Sequence, residues 1–170
     1  MDFQAFIRDV EDFPKPGVTF KDITPLLNHP EALNQACEAL FSMLEGLSIN
    51  KVVGVDSRGF IFAPMLASKL GAGFVPVRKK GKLPYKIISE SYQLEYGEDI
   101  LEMHTDAIKP GEKVLVHDDV LATGGTASAV CKLVEKLGGE VVQCNFLIQL
   151  TFLNGAEKLG DYPIKSLLRY

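Results

Sequence analysis

The sequence predicts an α/β fold, a central parallel sheet flanked by helices, and three features predict it. Short apolar runs at Lys51–Asp56, Gly73–Val77, Val114–Asp119 and Glu140–Leu150 read as strands buried on both faces. Stretches with helical apolar spacing lie between them, at Pro30–Leu47, Phe60–Leu70 and Ala127–Leu137. Polar or glycine-rich turns follow the strands that end at Asp56 and Asp119, the end at which open α/β sheets bind ligands. Short connections and right-handed crossovers would gather these strand-end loops on one side.

A length of 170 residues suits one domain with a substantial core. Hydrophobic content of 46% and charged content of 24% are ordinary for a soluble globular protein. No apolar run approaches membrane-spanning length, and the opening Met-Asp-Phe-Gln-Ala-Phe lacks the basic start of a signal peptide, so the cytoplasm is expected. A net charge of −4 argues against general nucleic-acid binding, so any polyanion site must be built locally. Cys37, Cys131 and Cys144 fall in predicted helices and a strand without metal-type spacing, and read as buried free thiols.

In chain order, Phe3, Phe6, Ile7 and Val10 predict a one-sided helix over Met1–Glu11, broken by Phe13-Pro14-Lys15-Pro16-Gly17. Val18–Pro25 is a compact loop between proline breaks. Pro30 suits a first helical turn, and Leu33, Ala36, Cys37, Leu40, Phe41 and Leu44 share one face of the helix that follows. After the strand at Gly73–Val77, five basic residues crowd into Arg78–Lys86 although the chain is acidic overall. Tyr85–Asp99 is polar and β-leaning and predicts a hairpin with Ile100–His104, placed to act as a lid. Phe152–Gly160 reads as a short helix, and Tyr162–Leu167 as an edge strand that tolerates Pro163.

The chemistry concentrates around Val114–Ala129. Asp118 and Asp119 close a strand, and Ala122, Thr123, Gly124, Gly125 and Thr126 form a small-residue turn feeding a helix. Backbone amides at such a turn, with Thr hydroxyls beside them, suit a phosphate dianion. Carboxylates would repel that phosphate, so they must serve otherwise, by accepting hydrogen bonds from sugar hydroxyls or by helping to hold a hydrated Mg²⁺. Together these features suggest a ribose 5-phosphate gripped at both ends.

This segment resembles the phosphoribosyl pyrophosphate signature of the type I phosphoribosyltransferases, and other segments narrow the resemblance to the adenine phosphoribosyltransferases. It spans Phe13 to Leu168 through five motifs in family order. It implies the type I phosphoribosyltransferase fold in a single domain over residues 1–170, with an N-terminal hood at about 13–28 and a β-hairpin lid at about 79–104. It implies that Ala122, Thr123, Gly124, Gly125 and Thr126 bind the 5-phosphate while Asp118 and Asp119 face the ribose hydroxyls. The Asp-Ser-Arg-Gly-Phe and Arg-Lys-x-Gly-Lys-Leu-Pro matches imply a pyrophosphate site of Asp56, Ser57, Arg58, Arg78, Lys79 and Lys82. The Pro-Gly-x-x-Phe-x-Asp-Ile match places Val18, Phe20 and Lys21 around adenine, although many relatives carry Arg in place of Lys21. The Ser-Tyr-x-Leu-Glu-Tyr-Gly match makes Glu95 the proton-handling residue. His117 departs from the apolar residue common in relatives and reads as a packed structural histidine.

The resemblance implies adenine plus phosphoribosyl pyrophosphate giving AMP plus pyrophosphate, with Arg58 and Glu95 catalytic. It implies Mg²⁺ held through the substrate without dedicated protein ligands, and a homodimer with neither nucleic-acid nor membrane partners. A purine-sensing regulator on the same fold would carry an added nucleic-acid module or a basic face, and this sequence shows neither.

Overall fold

The computed structural model describes residues 1–93 and 98–170. Two short strands, β1 (Arg8–Val10) and β2 (Phe20–Asp22), pair antiparallel near the N-terminus. Among the described residues the main sheet has seven strands: β3 (Lys51–Val55), β4 (Gly73–Lys79), β5 (Ile87–Gln93), β6 (Glu98–His104), β7 (Lys113–Leu121), β8 (Glu140–Gln149) and β9 (Ile164–Arg169). Their order is β5-β6-β4-β3-β7-β8-β9. The run from β4 to β9 is parallel, while β6 lies antiparallel to both β4 and β5.

Helices α1 (Thr24–Leu27), α2 (Pro30–Ser42) and α3 (Gly59–Leu70) cover one face, and α4 (Gly125–Lys136) covers the other. Strand side chains alternate between the layers. Val53, Val116 and Phe146 pack with Val130 and Val134 of α4, whereas Val52, Leu115 and Leu147 pack with Leu40 and Phe62. Both faces are therefore apolar, the physical reason these strands read as unbroken hydrophobic runs. Cys37, Cys131 and Cys144 are buried free thiols, with the sulfurs of Cys131 and Cys144 3.6 Å apart.

The strand order creates the site. The chain passes from β3 through α3 to β4 on one side, and from β7 through α4 to β8 on the other, so the winding reverses between the neighbours β3 and β7. A crevice opens beyond the C-terminal ends of strands at such a reversal.

Several elements differ from the sequence reading. Instead of a helix over Met1–Glu11, a 3₁₀ turn spans Phe3–Phe6 and is followed by β1. Phe3, Phe6 and Ile7 still pack on the α2 layer, but backbone pairing of Arg8 with Asp22 and Val10 with Phe20 outweighs a short helix that would be marginal alone. The compact Val18–Pro25 loop contains β2 and the start of α1. Helix α2 ends at Ser42 rather than Leu47. Asp118 and Asp119 lie within β7, which continues to Leu121. Phe152–Gly160 forms 3₁₀ turns separated by Asn154, whose positive φ of 52° interrupts any α-helix. The edge strand is Ile164–Arg169 rather than Tyr162–Leu167. The predicted antiparallel pairing is present between β5 and β6, but Asp99 belongs to the second strand, directly opposite Tyr92, rather than to the first arm.

Candidate active site

Two adjoining pockets occupy the crevice. One, of about 300 Å³, is lined by the Asp56–Arg58 turn after β3, Lys79, Tyr92, Asp118, Asp119 and Thr126. The other, of about 350 Å³, is lined by Val18, Thr19, Phe20 and Lys21 of the N-terminal segment with Leu150 and Leu153. Arg58, Asp118, Asp119 and Thr126 line both, so a polar chamber and a more apolar one meet at the acid pair.

Arg58 joins the chambers. Its Nε lies 2.8 Å from Oδ2 of Asp119, and its guanidinium sits 4.8 Å from the centre of the Phe20 ring. The contact with Asp119 is an ion pair without hydrogen-bond alignment, since Oδ2 is buried and accepts no hydrogen bond. The Asp119 amide donates to Oδ1 of Asp118 at 2.9 Å. Burial pushes the Asp118 carboxyl well above the usual range, and the neighbouring charge of Asp119 pushes it further. Burial also raises Asp119, against the pull of Arg58. A pair of carboxyls so placed favours partners that donate hydrogen bonds or bring positive charge.

On the polar side, Asp56 is nearly buried and accepts from Arg78 Nε at 3.2 Å and Lys82 Nζ at 3.0 Å. Burial raises its carboxyl, but the hydrogen bonds from Lys82 and Arg78 outweigh burial and hold it below its ordinary value. Asp56 thus anchors two cations, which an anion can do where it would repel a phosphate. Glu102, buried on β6, accepts from the Gly81 amide at 2.9 Å and fixes the turn between Lys79 and Lys82. Lys79 lines the pocket with its ammonium 3.0 Å from Asp99.

The Ala122–Thr126 turn leads into α4 through Gly124, whose φ of 80° suits glycine. Its shape is held from behind. A Cβ at Gly124 would lie 2.1 Å from the carbonyl oxygen of Gly155, and a Cβ at Gly155 would lie 2.1 Å from the carbonyl oxygen of Ala122. Sequence reasoning missed Gly155, because Asn154-Gly155 carries only the signal of an ordinary turn.

Of the residues matched to adenine, Val18, Phe20 and Lys21 all line the second chamber. The Lys21 ammonium is committed elsewhere, 2.6 Å from Asp9 and 4.0 Å from the centre of the Tyr170 ring. Glu95 lies outside the described residues. His117 points away from the pockets into the α2–α3 layer, its Nδ1 3.0 Å from Oδ1 of Asn145 and its ring edge-on to Phe62. It is a packed histidine, and burial pushes its ring down to about 4. A depression of about 510 Å³ outside α4 contains none of the acid pair, and its Glu90 is taken up by Lys132 and Lys136.

A family described as the phosphoribosyl transferase domain matches residues 22–165. The adenine phosphoribosyltransferase of Flavobacterium johnsoniae is 62% identical over 170 residues, covering 100% of both chains. That of Christiangramia forsetii is 60% identical, covering 100% of this chain and 99% of its own. The solved adenine phosphoribosyltransferase of Rhodothermus marinus superposes with a TM-score of 0.94 at 59% identity, over 99% of this chain and 96% of its own. The Saccharomyces cerevisiae protein, solved with D-2,5-dideoxy-2,5-imino-altritol 1,6-bisphosphate and adenine, gives 0.93 at 38% identity, over 98% of this chain and 97% of its own.

Proposed function

The chain belongs to the adenine phosphoribosyltransferase family, and we infer that it transfers the 5-phosphoribosyl group of phosphoribosyl pyrophosphate to adenine, giving AMP and pyrophosphate for purine salvage. The observation that carries this reading is the meeting of a polar chamber and a more apolar one at Arg58 and the acid pair. A sugar between a pyrophosphate and a flat base needs that division.

In this reading Ala122, Thr123, Gly124, Gly125 and Thr126 bind the 5-phosphate at the N-terminus of α4, where backbone amides and the helix dipole favour an anion. Asp118 and Asp119 accept hydrogen bonds from the ribose hydroxyls. Ser57, Arg58, Lys79, Arg78 and Lys82 receive the pyrophosphate, with Asp56 holding Arg78 and Lys82 in place. Breaking the anomeric C–O bond leaves oxocarbenium-like charge on the ribose and negative charge on the departing pyrophosphate, as in other glycosyl chemistry. Cations already fixed where that charge develops stabilise the transition state more than groups that must first reorganise. Arg58 also stacks on Phe20, which holds the base against the anomeric carbon together with Val18 and the stem of Lys21. Glu95 takes the purine proton as the new C–N bond forms, and the β5–β6 hairpin beside the pocket keeps water from the reacting carbon.

The site fits Mg²⁺ carried by the substrate: Oδ2 of Asp119 is already paired with Arg58 at 2.8 Å, and among the described residues no group of three or more His, Cys, Asp or Glu could hold a metal ion. With Asp118 and Asp119 turned to the ribose hydroxyls, the ion would be held by substrate oxygens and water without dedicated protein ligands. When bound, it would supply charge neutralisation to the leaving pyrophosphate. The acidic net charge of −4 supports a protein without nucleic-acid partners. Among the described residues no helix is long and apolar enough to cross a membrane. We place the protein in the cytoplasm, as a homodimer by family likeness.

The test is turnover with adenine, hypoxanthine, guanine and xanthine, with and without Mg²⁺. Mg²⁺-dependent AMP formation with adenine alone is expected. Turnover with an oxopurine in preference to adenine contradicts the base assignment, and phosphoribosyl pyrophosphate binding without turnover on any base points to a sensor.

A further inference from the structure

Asp99 stands near the start of β6, one pair from the far end of the β5–β6 ladder, outside every motif matched to substrate, and yet it touches two pocket-lining side chains. Its Oδ2 lies 3.0 Å from Lys79 Nζ and accepts from the Tyr92 hydroxyl at 3.3 Å, while Oδ1 accepts from the Ile100 amide at 2.9 Å. Tyr92 is its direct cross-strand partner, and both Tyr92 and Lys79 line the polar chamber with Thr126. We propose that Asp99 is a positioning residue for the pyrophosphate end of the site, holding the Lys79 ammonium at the rim and the Tyr92 hydroxyl at the wall.

The carboxylate is suited to anchor rather than to compete with substrate. Its own strand amide and the facing tyrosine fix both of its oxygens, so it cannot follow Lys79 outward. Burial pushes the Asp99 carboxyl up, but the hydrogen bonds from Lys79 and the Ile100 amide bring it below its ordinary value, and it remains an anion at neutral pH. Lys79 is a long, largely exposed side chain that would otherwise sample many rotamers, and a fixed partner removes that freedom before substrate arrives. Asp99 therefore acts through Lys79 on the substrate and through Tyr92 on the chamber wall that Tyr92 shares with Thr126.

The inference rests on reading the polar chamber as the phosphoribosyl pyrophosphate site. The experiment compares kcat and both KM values for wild type, Asp99→Asn, Lys79→Ala and the double variant. Asparagine keeps an oxygen for the Ile100 amide, turns toward Tyr92 an NH₂ from which the hydroxyl oxygen can accept, and removes the charge that holds Lys79. The expected result is a rise of about fivefold in KM for phosphoribosyl pyrophosphate, the size a partly exposed ion pair supports. KM for adenine should stay within about twofold, and in the Lys79→Ala background the Asp99 change should add less than about twofold, because the coupling is gone. An unchanged or lowered KM for phosphoribosyl pyrophosphate in Asp99→Asn would overturn the proposal, as would a loss of equal size with and without Lys79. Absence of AMP formation by the wild type would instead remove the reading of the chamber, a failure seen before any variant is compared.

Discussion

Alanine at Gly155 tests whether the phosphate turn owes its shape to the chain segment behind it. The added methyl would stand 2.1 Å from the carbonyl oxygen of Ala122 and 2.8 Å from the Gly124 nitrogen. Non-bonded heavy atoms prefer roughly 3.5 Å, so the turn or the Gly155 segment must move by about 1 Å. The φ of Gly155 lies outside the left-handed range, which leaves the packing clash as the cause. Overpacking of this kind costs about 1–3 kcal/mol of stability. A displacement of about 1 Å in a positioning element can cost about 10²-fold in rate. Steady-state kinetics should therefore show kcat/KM for phosphoribosyl pyrophosphate falling by about 10²-fold, with adenine binding by equilibrium dialysis little changed. Gly124→Ala would set a methyl 2.1 Å from the Gly155 carbonyl oxygen and also strain the backbone at a φ of 80°, so its loss should be at least as large. A Gly155→Ala enzyme with kcat/KM within about twofold of wild type would refute the reasoning, because the turn would then hold its position without that support.

Other perturbations give separate outcomes. Asp118→Asn combined with Asp119→Asn should cut turnover by about 10²-fold or more, since charged hydrogen bonds to the ribose are worth about 1.5–3 kcal/mol each; near-normal rates with an intact fold by circular dichroism would remove the acid pair from the ribose. Arg58→Ala should raise KM for phosphoribosyl pyrophosphate and, through the lost stacking on Phe20, KM for adenine as well; unchanged Michaelis constants would take Arg58 out of the site. His117 titrates at about 4 in the fold against an ordinary 6.5, so its contribution is fully present above 6.5 and is lost as pH falls toward 4. That loss amounts to about 3 kcal/mol. Asp118, whose carboxyl is raised, acts in the opposite sense, so the quantity to compare is the pH slope of urea-unfolding free energy in wild type and His117→Leu. Parallel slopes from about pH 7 to 4.5 would contradict the assignment to His117.

Much of this architecture is legible in the amino-acid order because the signals are local. Strands β3, β7 and β8 are buried on both faces, and a doubly buried strand reads as a continuous apolar run whatever surrounds it. The Thr123-Gly124-Gly125-Thr126 turn is equally local: small residues, a positive φ and a helix start within one turn. Non-local pairing escapes such reading. Residues 3–10 have helical spacing, yet β1 forms because Asp22 and Phe20 are available to pair with Arg8 and Val10. The approach of Gly155 to Gly124, and the grip of Asp56 on Arg78, join residues distant in the chain and leave no mark on the spacing around either partner. The basic cluster at 78–82 is visible in the sequence as a cluster, but only the fold reveals that Asp56 and Asp99 hold its side chains in position.

The most direct test of the central claim is phosphorus NMR of the wild-type protein mixed with phosphoribosyl pyrophosphate, adenine and Mg²⁺. The phosphoribosyl pyrophosphate signals should decay while AMP and inorganic pyrophosphate appear in equal amounts, and omitting adenine should halt both. Pyrophosphate released without AMP, or unreacted phosphoribosyl pyrophosphate in the presence of adenine, would contradict it.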